Sequence, residues 1–358
     1  MPGRLSRRLA VLAAAAVTVP LGAVGVSASA SDTPNPPAPY NLVWDDFRSG
    51  FSYTGDHARW ALFPTGSLPY GDGLPTTSAS GLTVVPTGRD AATGDPAFVY
   101  TTGQEADGGH GTDDHVKWYA SANHLSSAGF TGFDAVPGQV LTCDSTISAR
   151  TFNTDRHPFG AAVADPQTDL RLAAGAMSLI DLETSIVFDF FITNHQLYAF
   201  YERLPRAGAT YAAFSYALPV ATRTPEEWHH LAISYDRSAG TVVWKVGGRE
   251  VMRVTRIGYR PTDRANLVLD LGGTDETVAP RQLSCGLGVF TILDGESAGT
   301  DGGLVRLTSA PDAYLDPDRG APYPQHFVDE HSVAGNRLWG QGVRLKVDCY
   351  RVSSLPRS

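Results

Sequence analysis

Positive charge is scarce in this sequence. There are 28 Lys and Arg residues against 37 Asp and Glu, and the formal net charge is −9. Three arginines lie within the first thirty residues, which contain no acid, so a chain without that segment carries 25 − 37 = −12. An acidic surface repels phosphate backbones and anionic lipids. We therefore expect neither a nucleic acid nor a membrane as a partner.

Cysteine is equally scarce, with only Cys143, Cys285 and Cys349 present. In an oxidising compartment three cysteines allow one disulfide and leave one thiol. Their wide spacing excludes the close-spaced ligand set of a zinc site. No His-containing signature surrounds any of them, so we interpret the remaining thiol as buried and inert rather than catalytic.

Long apolar runs are absent except for one, at residues 9–26. Arg4, Arg7 and Arg8 precede this run and Ala28-Ser29-Ala30 follows it. A basic segment, an apolar run and small residues in that order predict a signal peptide over residues 1–30. A membrane anchor is the alternative, but prolines and glycines interrupt the run. We therefore expect a secreted, extracellular protein, exported by the general route or by the twin-arginine route.

Long amphipathic helical patterns are also missing. Residues 31–41 are a Pro-rich lead-in for which we predict disorder. The full sequence has 37 Gly and 24 Pro, and from residue 42 onward these residues punctuate short β-branched and aromatic runs, which predicts one all-β domain over residues 42–358. A short helical pattern lies around residues 170–177. The predicted strands cover residues 185–193, 196–204, 211–218, 228–235, 242–246, 250–254, 266–271 and 344–352.

Five motifs occur in an order that is similar to one known family. They are residues 44–47 (WDDF), 228–236 (WHHLAISYD), 243–248 (VWKVGG), 267–273 (LVLDLGG) and 347–352 (VDCYRV). Together they resemble the laminarinase-type glycoside hydrolases of the concanavalin A-like superfamily. The resemblance spans residues 42–352 and implies a jelly-roll sandwich of two antiparallel sheets with a concave groove that binds carbohydrate.

The sequence departs from that family at the catalytic strand. The family carries Glu-x-Asp-x-x-Glu there, so that two carboxylates flank the scissile bond and a third orients the nucleophile. The matching strand, residues 185–193, has IVFDFF in this place. Only Asp189 is retained, and Glu183 lies outside the spacing. The standard retaining glucanase mechanism is therefore not expected.

Asp189 is the most informative residue, because a carboxylate inside an apolar strand must be paired, hydrogen-bonded or functional. In a hairpin with residues 196–204, Asp189 lies opposite either Phe200 or Glu202, so that the numbers of paired residues sum to 389 or to 391. Side chains alternate along a strand, so either register puts Asp189, Phe200 and Glu202 on one face. Two acids on one face shift each other's pKa, which suits general acid and base catalysis. Alternatively, Arg203 or Arg150 neutralises Asp189 and its role is structural.

His230 is the third catalytic candidate. It shares a face with Trp228 and Ser234, opposite the apolar set of the same strand, and is either a groove residue and proton donor or a solvated surface histidine. Sugar rings stack on aromatic faces, so aromatic side chains are candidates for ligand binding, together with one arginine. These candidates are Trp118, Tyr198, Phe200, Tyr211 and Arg150, with Phe191 as a further groove aromatic.

No cofactor is predicted. A mixed set of oxygen and nitrogen ligands in residues 108–118 suggests a metal loop, but its spacing matches no specific motif. A structural calcium ion is a further hypothesis. The residues concerned are His110, Asp113, Asp114 and His115 for the loop, and Asp45, Asp46 and Asp348 for calcium.

Three functions stay open from the sequence. The first is an enzyme that acts on a polysaccharide or another polyhydroxylated ligand through Asp189 and Glu202. The second is a lectin-like binder, and the third is a secreted cyclase or isomerase acting on a hydrophobic small molecule. We expect a monomer. The resemblance also favours a Cys143–Cys349 disulfide, because the closing strand of similar folds runs beside a strand from the first half.

Overall fold

The computed structural model describes residues 37–102, 114–297, 302–310, 313–315 and 325–357. From Pro37 onward the chain forms one compact unit. Its one described α-helix is α1 (Ala334–Arg337), and no helix in the described ranges is long and apolar enough to cross a membrane. The strands, in chain order, are β1 (Tyr40–Asp45), β2 (Trp60–Leu62), β3 (Leu74–Ser78), β4 (Gly81–Val85), β5 (Gly88–Arg89), β6 (Pro96–Ala97), β7 (Val116–Ala122), β8 (Phe133–Asp134), β9 (Gln139–Phe152), β10 (Ala174–Asp181), β11 (Ile186–Ile192), β12 (Gln196–Arg203), β13 (Phe214–Thr222), β14 (His229–Asp236), β15 (Thr241–Val246), β16 (Arg249–Val254), β17 (Leu267–Asp270), β18 (Gln282–Phe290), β19 (Gly303–Val305), β20 (Phe327–Asp329) and β21 (Gly342–Pro356).

Two large antiparallel sheets make up the molecule. The outer sheet has the order β16-β15-β14-β9-β21-β4-β3, and β1 also pairs with β21. The second sheet, called the cavity sheet below, has the order β17-β13-β12-β11-β10-β18-β7-β2, and β8 also pairs with β18. The predicted all-β jelly-roll sandwich of two antiparallel sheets is therefore confirmed.

The main core lies between the two sheets. In β11 the side chains of Ile186, Phe188 and Phe190 are buried in this core, whereas the intervening residues face the other side of the cavity sheet. Burial of each such side chain stabilises the fold by about 2 kcal/mol. Trp244 of the outer sheet also donates a hydrogen bond of 2.8 Å to the backbone oxygen of Asp189. This contact fixes β11 from the core side.

The predicted disulfide was wrong. The bridge joins Cys143 of β9 to Cys285 of β18, with 6.2 Å between the Cα atoms, and it links the two sheets across the core. The closing strand β21 does run beside β9, as expected. However, the register puts Val352 opposite Cys143 and Cys349 opposite Thr146. Cys349 is a free thiol, and it is half-buried rather than buried as predicted.

The helical pattern predicted around residues 170–177 was also wrong. Ala174–Asp181 is strand β10, which pairs with β11 and with β18. Alanine has the highest intrinsic helix propensity, but tertiary pairing overrides propensity in a buried strand. The alternation places Met177 and Leu179 in the main core and Ala174 and Ala176 on the opposite face.

Candidate active site

A cavity of about 510 Å³ lies on the face of the cavity sheet that points away from the outer sheet. Small residues on its central strands make room for larger neighbours. A Cβ atom on Gly286 would overlap the Tyr119 hydroxyl, and one on Gly288 would overlap the Phe290 ring. The cavity lining is mainly apolar, and the lining residues Phe63, Leu182 and Leu204 are also solvent-exposed.

Asp189 lies in the interior of this cavity. Its side chain is 3% exposed, and Oδ1 meets no hydrogen-bond donor in the part of the chain that the structure describes. Burial, and then the nearby Glu202 carboxylate, raise the pKa of Asp189 well above its usual value, although a hydrogen bond from the Leu179 backbone opposes this. The protonated form of Asp189, which can donate a proton or a hydrogen bond, is therefore favoured to higher pH than in an ordinary aspartate.

Glu202 is the second acid of the cavity. The register pairs Asp189 with Phe200 and Val187 with Glu202, so the two acids are diagonal neighbours on adjacent strands. Ser215, opposite Glu202 on β13, donates a 2.7 Å hydrogen bond to Glu202 Oε2. The pKa of Glu202 is raised above its usual value, mainly by burial, although the Ser215 hydrogen bond and the nearby His115 partly oppose this. These two contacts favour the ionised form more at Glu202 than at Asp189.

A histidine held by a buried acid also lines the cavity. His115 Nε2 lies 2.6 Å from Oδ1 of Asp294, whose side chain is 0% exposed, and Tyr314 donates a 2.8 Å hydrogen bond to Asp294 Oδ2. Burial disfavours the imidazolium, but Asp294 and Glu202 outweigh that effect and raise the pKa of His115. Protonation of His115 is thus favoured by the Asp294 carboxylate and, to a smaller extent, by Glu202.

Tyr119 is another polar residue of the cavity lining, connected to Asp189 through Ser178. Ser178 pairs with Asp189 across β10 and β11, and its hydroxyl donates a 2.8 Å hydrogen bond to Tyr119 Oη. Burial raises the pKa of Tyr119, the Ser178 hydrogen bond lowers it, and the Asp189 carboxyl raises it further. The phenol therefore keeps its proton at neutral pH and can donate it to a ligand.

Several predicted site residues do meet here. In the β11–β12 register the numbers of paired residues sum to 389, so Asp189 lies opposite Phe200. Asp189, Phe200 and Glu202 all lie on the cavity face. The Phe191 ring packs against Phe200 with 4.6 Å between ring centroids. Tyr198 shares this face but donates its hydroxyl to the Thr168 backbone oxygen and lies outside the lining.

Tyr211 is placed at the margin. It precedes β13, its hydroxyl donates to the Leu204 backbone oxygen, and the Arg203 guanidinium stacks on its ring at 3.6 Å. Arg203 also bonds Glu276 at 2.9 Å. The expected arginine partner of Asp189 is therefore engaged elsewhere, and the structural interpretation of Asp189 as half of an ion pair was wrong.

Three predicted residues lie away from the cavity. Trp118 is fully buried in the main core, because the alternation in β7 turns it with Ala120 toward the outer sheet. Arg150 of β9 bonds Glu226 and belongs to the outer sheet. His230 of β14 also belongs to the outer sheet, where it is 49% exposed and bonds Asp144 at 2.9 Å. None of the three lines the cavity that holds Asp189 and Glu202.

The described residues contain no side-chain cluster that supports the metal hypotheses. No three His, Cys, Asp or Glu side chains within the described ranges are arranged to hold a metal ion. His110 and Asp113 lie outside those ranges. Asp45 accepts hydrogen bonds from the Phe47 backbone and from Trp60 Nε1, and Asp348 bonds Arg48. Calcium at Asp45, Asp46 or Asp348 stays a prediction.

A family model matches residues 44–356, and its description is a family of unknown function, DUF6081. The chain belongs to this family. One curated relative of this DUF6081 chain is the uncharacterized protein L829 of Acanthamoeba polyphaga mimivirus, with 32% identity over 183 residues. The match covers 35% of the chain and 42% of that protein. The chain therefore spans less than half the length of this relative.

Among solved structures, the DUF6081 chain is similar to the endo-1,3-β-glucanase of Streptomyces sioyaensis, with a TM-score of 0.43, 14% identity, and coverage of 91% of this chain and 100% of that one. It is also similar to the β-glucanase of Bacillus licheniformis, with a TM-score of 0.37, 8% identity, and coverage of 90% and 99%. The κ-carrageenase of Pseudoalteromonas carrageenovora is similar with a TM-score of 0.33 and 12% identity, and the match covers 92% of this chain and 100% of the carrageenase.

Sequence reasoning missed two polar groups of this DUF6081 site. Tyr119 could have been found, because the small and apolar set Trp118, Ala120 and Ala122 marks the core face of β7 and leaves Tyr119 on the opposite face. Asp294 had no local signal, since its partner His115 is 179 positions away in the sequence.

Proposed function

We propose that the cavity is the active site of an enzyme that moves protons on a largely apolar small molecule, with Asp189 as acid and Glu202 as base. One observation carries this proposal. Asp189 is a buried carboxyl with an oxygen that meets no described donor, inside an apolar cavity. An unsatisfied buried polar atom costs about 1–3 kcal/mol, and a ligand that bonds it recovers that cost.

The lining favours an apolar ligand over a glycan chain. Phe191, Phe200, Phe290 and Ile292 form one packed cluster on the cavity face, and two of the three rings meet at 4.6 Å. A cavity of this volume suits a drug-sized molecule, and the few polar groups then fix its orientation. The rings pack edge to face against each other and are nearly fully buried. They offer little flat, open platform for successive sugars.

The two acids can divide the work of proton transfer. Diagonal cross-strand neighbours lie about 7–8 Å apart at the backbone, which leaves space for ligand atoms between the two carboxyl groups. The neutral Asp189 gives a proton to one atom of the ligand, and the ionised Glu202 accepts a proton from another. Such a transfer rearranges bonds without adding or removing atoms, so isomerisation and cyclisation are the reaction classes that fit.

Incubation of the purified mature protein with an apolar metabolite extract of the producing organism tests this function. Mass spectrometry should show one compound depleted and a product of equal mass formed. Asp189→Asn should slow the conversion about a hundredfold or more. His230→Ala, on the outer sheet, should behave as wild type. Extracts left unchanged by wild type, or changed equally by Asp189→Asn, would refute the proposal.

A polysaccharide remains the second candidate substrate. The acid pair supports this candidate, because cleavage of a glycosidic bond also needs two carboxyl groups, one on each side of the scissile bond. A panel of soluble β-glucans and sulfated galactans separates the candidates. Reducing ends released by wild type and not by Asp189→Asn would establish cleavage, whereas binding without release would establish a lectin-like protein.

We also propose that the protein is exported through its predicted signal peptide. The Cys143–Cys285 bridge supports this, because disulfides persist in oxidising compartments. The mature chain should begin near Ser31. N-terminal sequencing of secreted material tests this, and a chain retaining Arg7 and Arg8 in the membrane fraction would contradict it.

A further inference from the structure

We infer that the substrate carries a carbonyl group, that Asp189 and Tyr119 donate hydrogen bonds to its oxygen, and that Glu202 removes a proton from the adjacent carbon. This inference rests on the proposed function and names its substrate class. It begins from the positions of the two donors. Both lie on the cavity face, and Ser178 connects them, since Ser178 pairs with Asp189 and bonds Tyr119.

The hydrogen bond from Ser178 indicates that the Tyr119 hydroxyl can act as a donor toward a ligand. Tyr119 Oη accepts the Ser178 hydroxyl at 2.8 Å, which leaves the phenolic proton to be donated. Gly286 lies directly beneath, and any larger residue there would overlap Tyr119 Oη. The strand thus holds the phenol close to Asp189, whose Oδ1 meets no donor among the described residues. Burial raises the pKa of both groups, which favours the protonated forms that can donate to one acceptor oxygen.

Two protonated donors side by side suit an oxygen that gains negative charge during the reaction. Such donors stabilise the charge most strongly in a water-poor site, because they are already oriented when the charge develops. A carbonyl oxygen on the way to an enolate is an oxygen of this kind. An anionic carboxylate ligand suits the site less, since two acidic side chains, Glu202 and the buried Asp294, already act on His115.

Glu202 is placed to be the base. One of its oxygens accepts the Ser215 hydroxyl at 2.7 Å, and the charge on His115 favours the ionised form. His115 is a positioning residue here, held by Asp294 at 2.6 Å. Glu202 lies two residue pairs along the hairpin from the pair that contains Asp189, so the two groups reach different atoms of one ligand.

The proposed step balances without a co-reactant. The Glu202 carboxylate takes a proton from the carbon next to the carbonyl, and the C–H electron pair becomes the new C=C bond. The carbonyl π pair moves to oxygen, where Asp189 and Tyr119 donate their hydrogen bonds. Protonated Glu202 then returns the proton to the same carbon or to one further along the conjugated system, which regenerates the base.

Two aromatic probes test the inference with the mature protein. The probes are 2-acetonaphthone, which has a carbonyl and an exchangeable methyl group, and 2-ethylnaphthalene, which has nearly the same shape and no oxygen. Calorimetry measures both affinities, and proton NMR in heavy water measures exchange of the acetyl methyl protons. Wild type should bind the ketone about tenfold more tightly than the hydrocarbon and should accelerate the exchange.

The variants separate the roles. Asp189→Asn and Tyr119→Phe should each reduce the preference for the ketone and leave the affinity for 2-ethylnaphthalene unchanged, which also shows that the cavity is folded. Glu202→Gln should keep the preference and slow the exchange about a hundredfold. His230→Ala is the matched control and should match wild type in all three measurements.

The outcomes distinguish the inference from the proposed function. Equal affinity for ketone and hydrocarbon in wild type would overturn the inference and leave the apolar ligand site standing. A preference that survives in both Asp189→Asn and Tyr119→Phe would also overturn it. If neither probe binds at all, the cavity is no ligand site and the proposed function fails with it.

Discussion

As the pH rises, the Asp189→Asn variant should become progressively more stable relative to wild type, although it should slow turnover about a hundredfold or more. The folded-state pKa of Asp189 is raised, so the folded protein keeps a proton that the unfolded chain releases above about pH 4. Stability that depends on this proton is present at low pH and is lost as pH rises toward the folded-state pKa. The loss amounts to about 1.4 kcal/mol per pH unit.

Asparagine has nearly the shape of the protonated acid and no proton to release. Its side-chain oxygen can still accept the hydrogen bond from the Leu179 backbone. Between about pH 5 and about pH 7, the free energy of unfolding of the variant should therefore gain up to about 2.7 kcal/mol on that of wild type. A buried amide N–H without an acceptor lowers the stability of the variant equally at every pH, so the change with pH is the informative quantity.

Urea unfolding of both proteins at several pH values measures this difference. Asp270→Asn is the matched control, because Asp270 is equally buried but bonds Arg260 at 3.0 Å and Arg264 at 2.5 Å. That variant should be less stable than wild type at neutral pH, since two guanidinium groups lose their carboxylate. A difference between wild type and Asp189→Asn that is the same at every pH would refute the neutral state of Asp189.

Three further predictions concern other parts of the molecule. Without reducing agent, alkylation should modify Cys349 alone, because Cys143 and Cys285 are bridged, and a Cys349-containing disulfide in the peptide map would contradict the structure. Gly286→Ala should lower conversion about tenfold by displacing Tyr119, whereas Gly335→Ala, with open space around its Cα, should have no effect. Asp294→Asn removes the main charge that raises the pKa of His115, so a loss of turnover that follows deprotonation of His115 should move to lower pH. An unchanged pH profile would mean that His115 does not act through its charge.

The hairpin that carries the acids was predictable because its pattern is local. An apolar run, a turn and a second run predict two paired strands, and either plausible register puts Asp189 and Glu202 on one face. The structure has the register that sums to 389. The same alternation, applied to β7, would have replaced Trp118 with Tyr119 as a ligand candidate.

The predictions that were wrong depend on which strands pair in a sheet and how the two sheets stack. His230 lies on the correctly predicted face of its strand, but that strand belongs to the outer sheet, which the pattern along one strand cannot reveal. The same applies to the disulfide, because the pairing of Cys143 with Cys285 follows from how the sheets stack. The segment that forms β10 has a composition that suits a helix, and only its two neighbouring strands decide its conformation.

The central claim is that Asp189 is a neutral acid that meets the ligand in the cavity. Carbon-13 NMR of the protein labelled at its aspartate carboxyl carbons tests this most directly, with Asp189→Asn to assign the signal. We expect the Asp189 signal to stay at the position of a protonated acid from about pH 5 to about pH 7 and to shift when 2-acetonaphthone is added. A signal that titrates near the ordinary value of about 3.9 and ignores the ketone would contradict it.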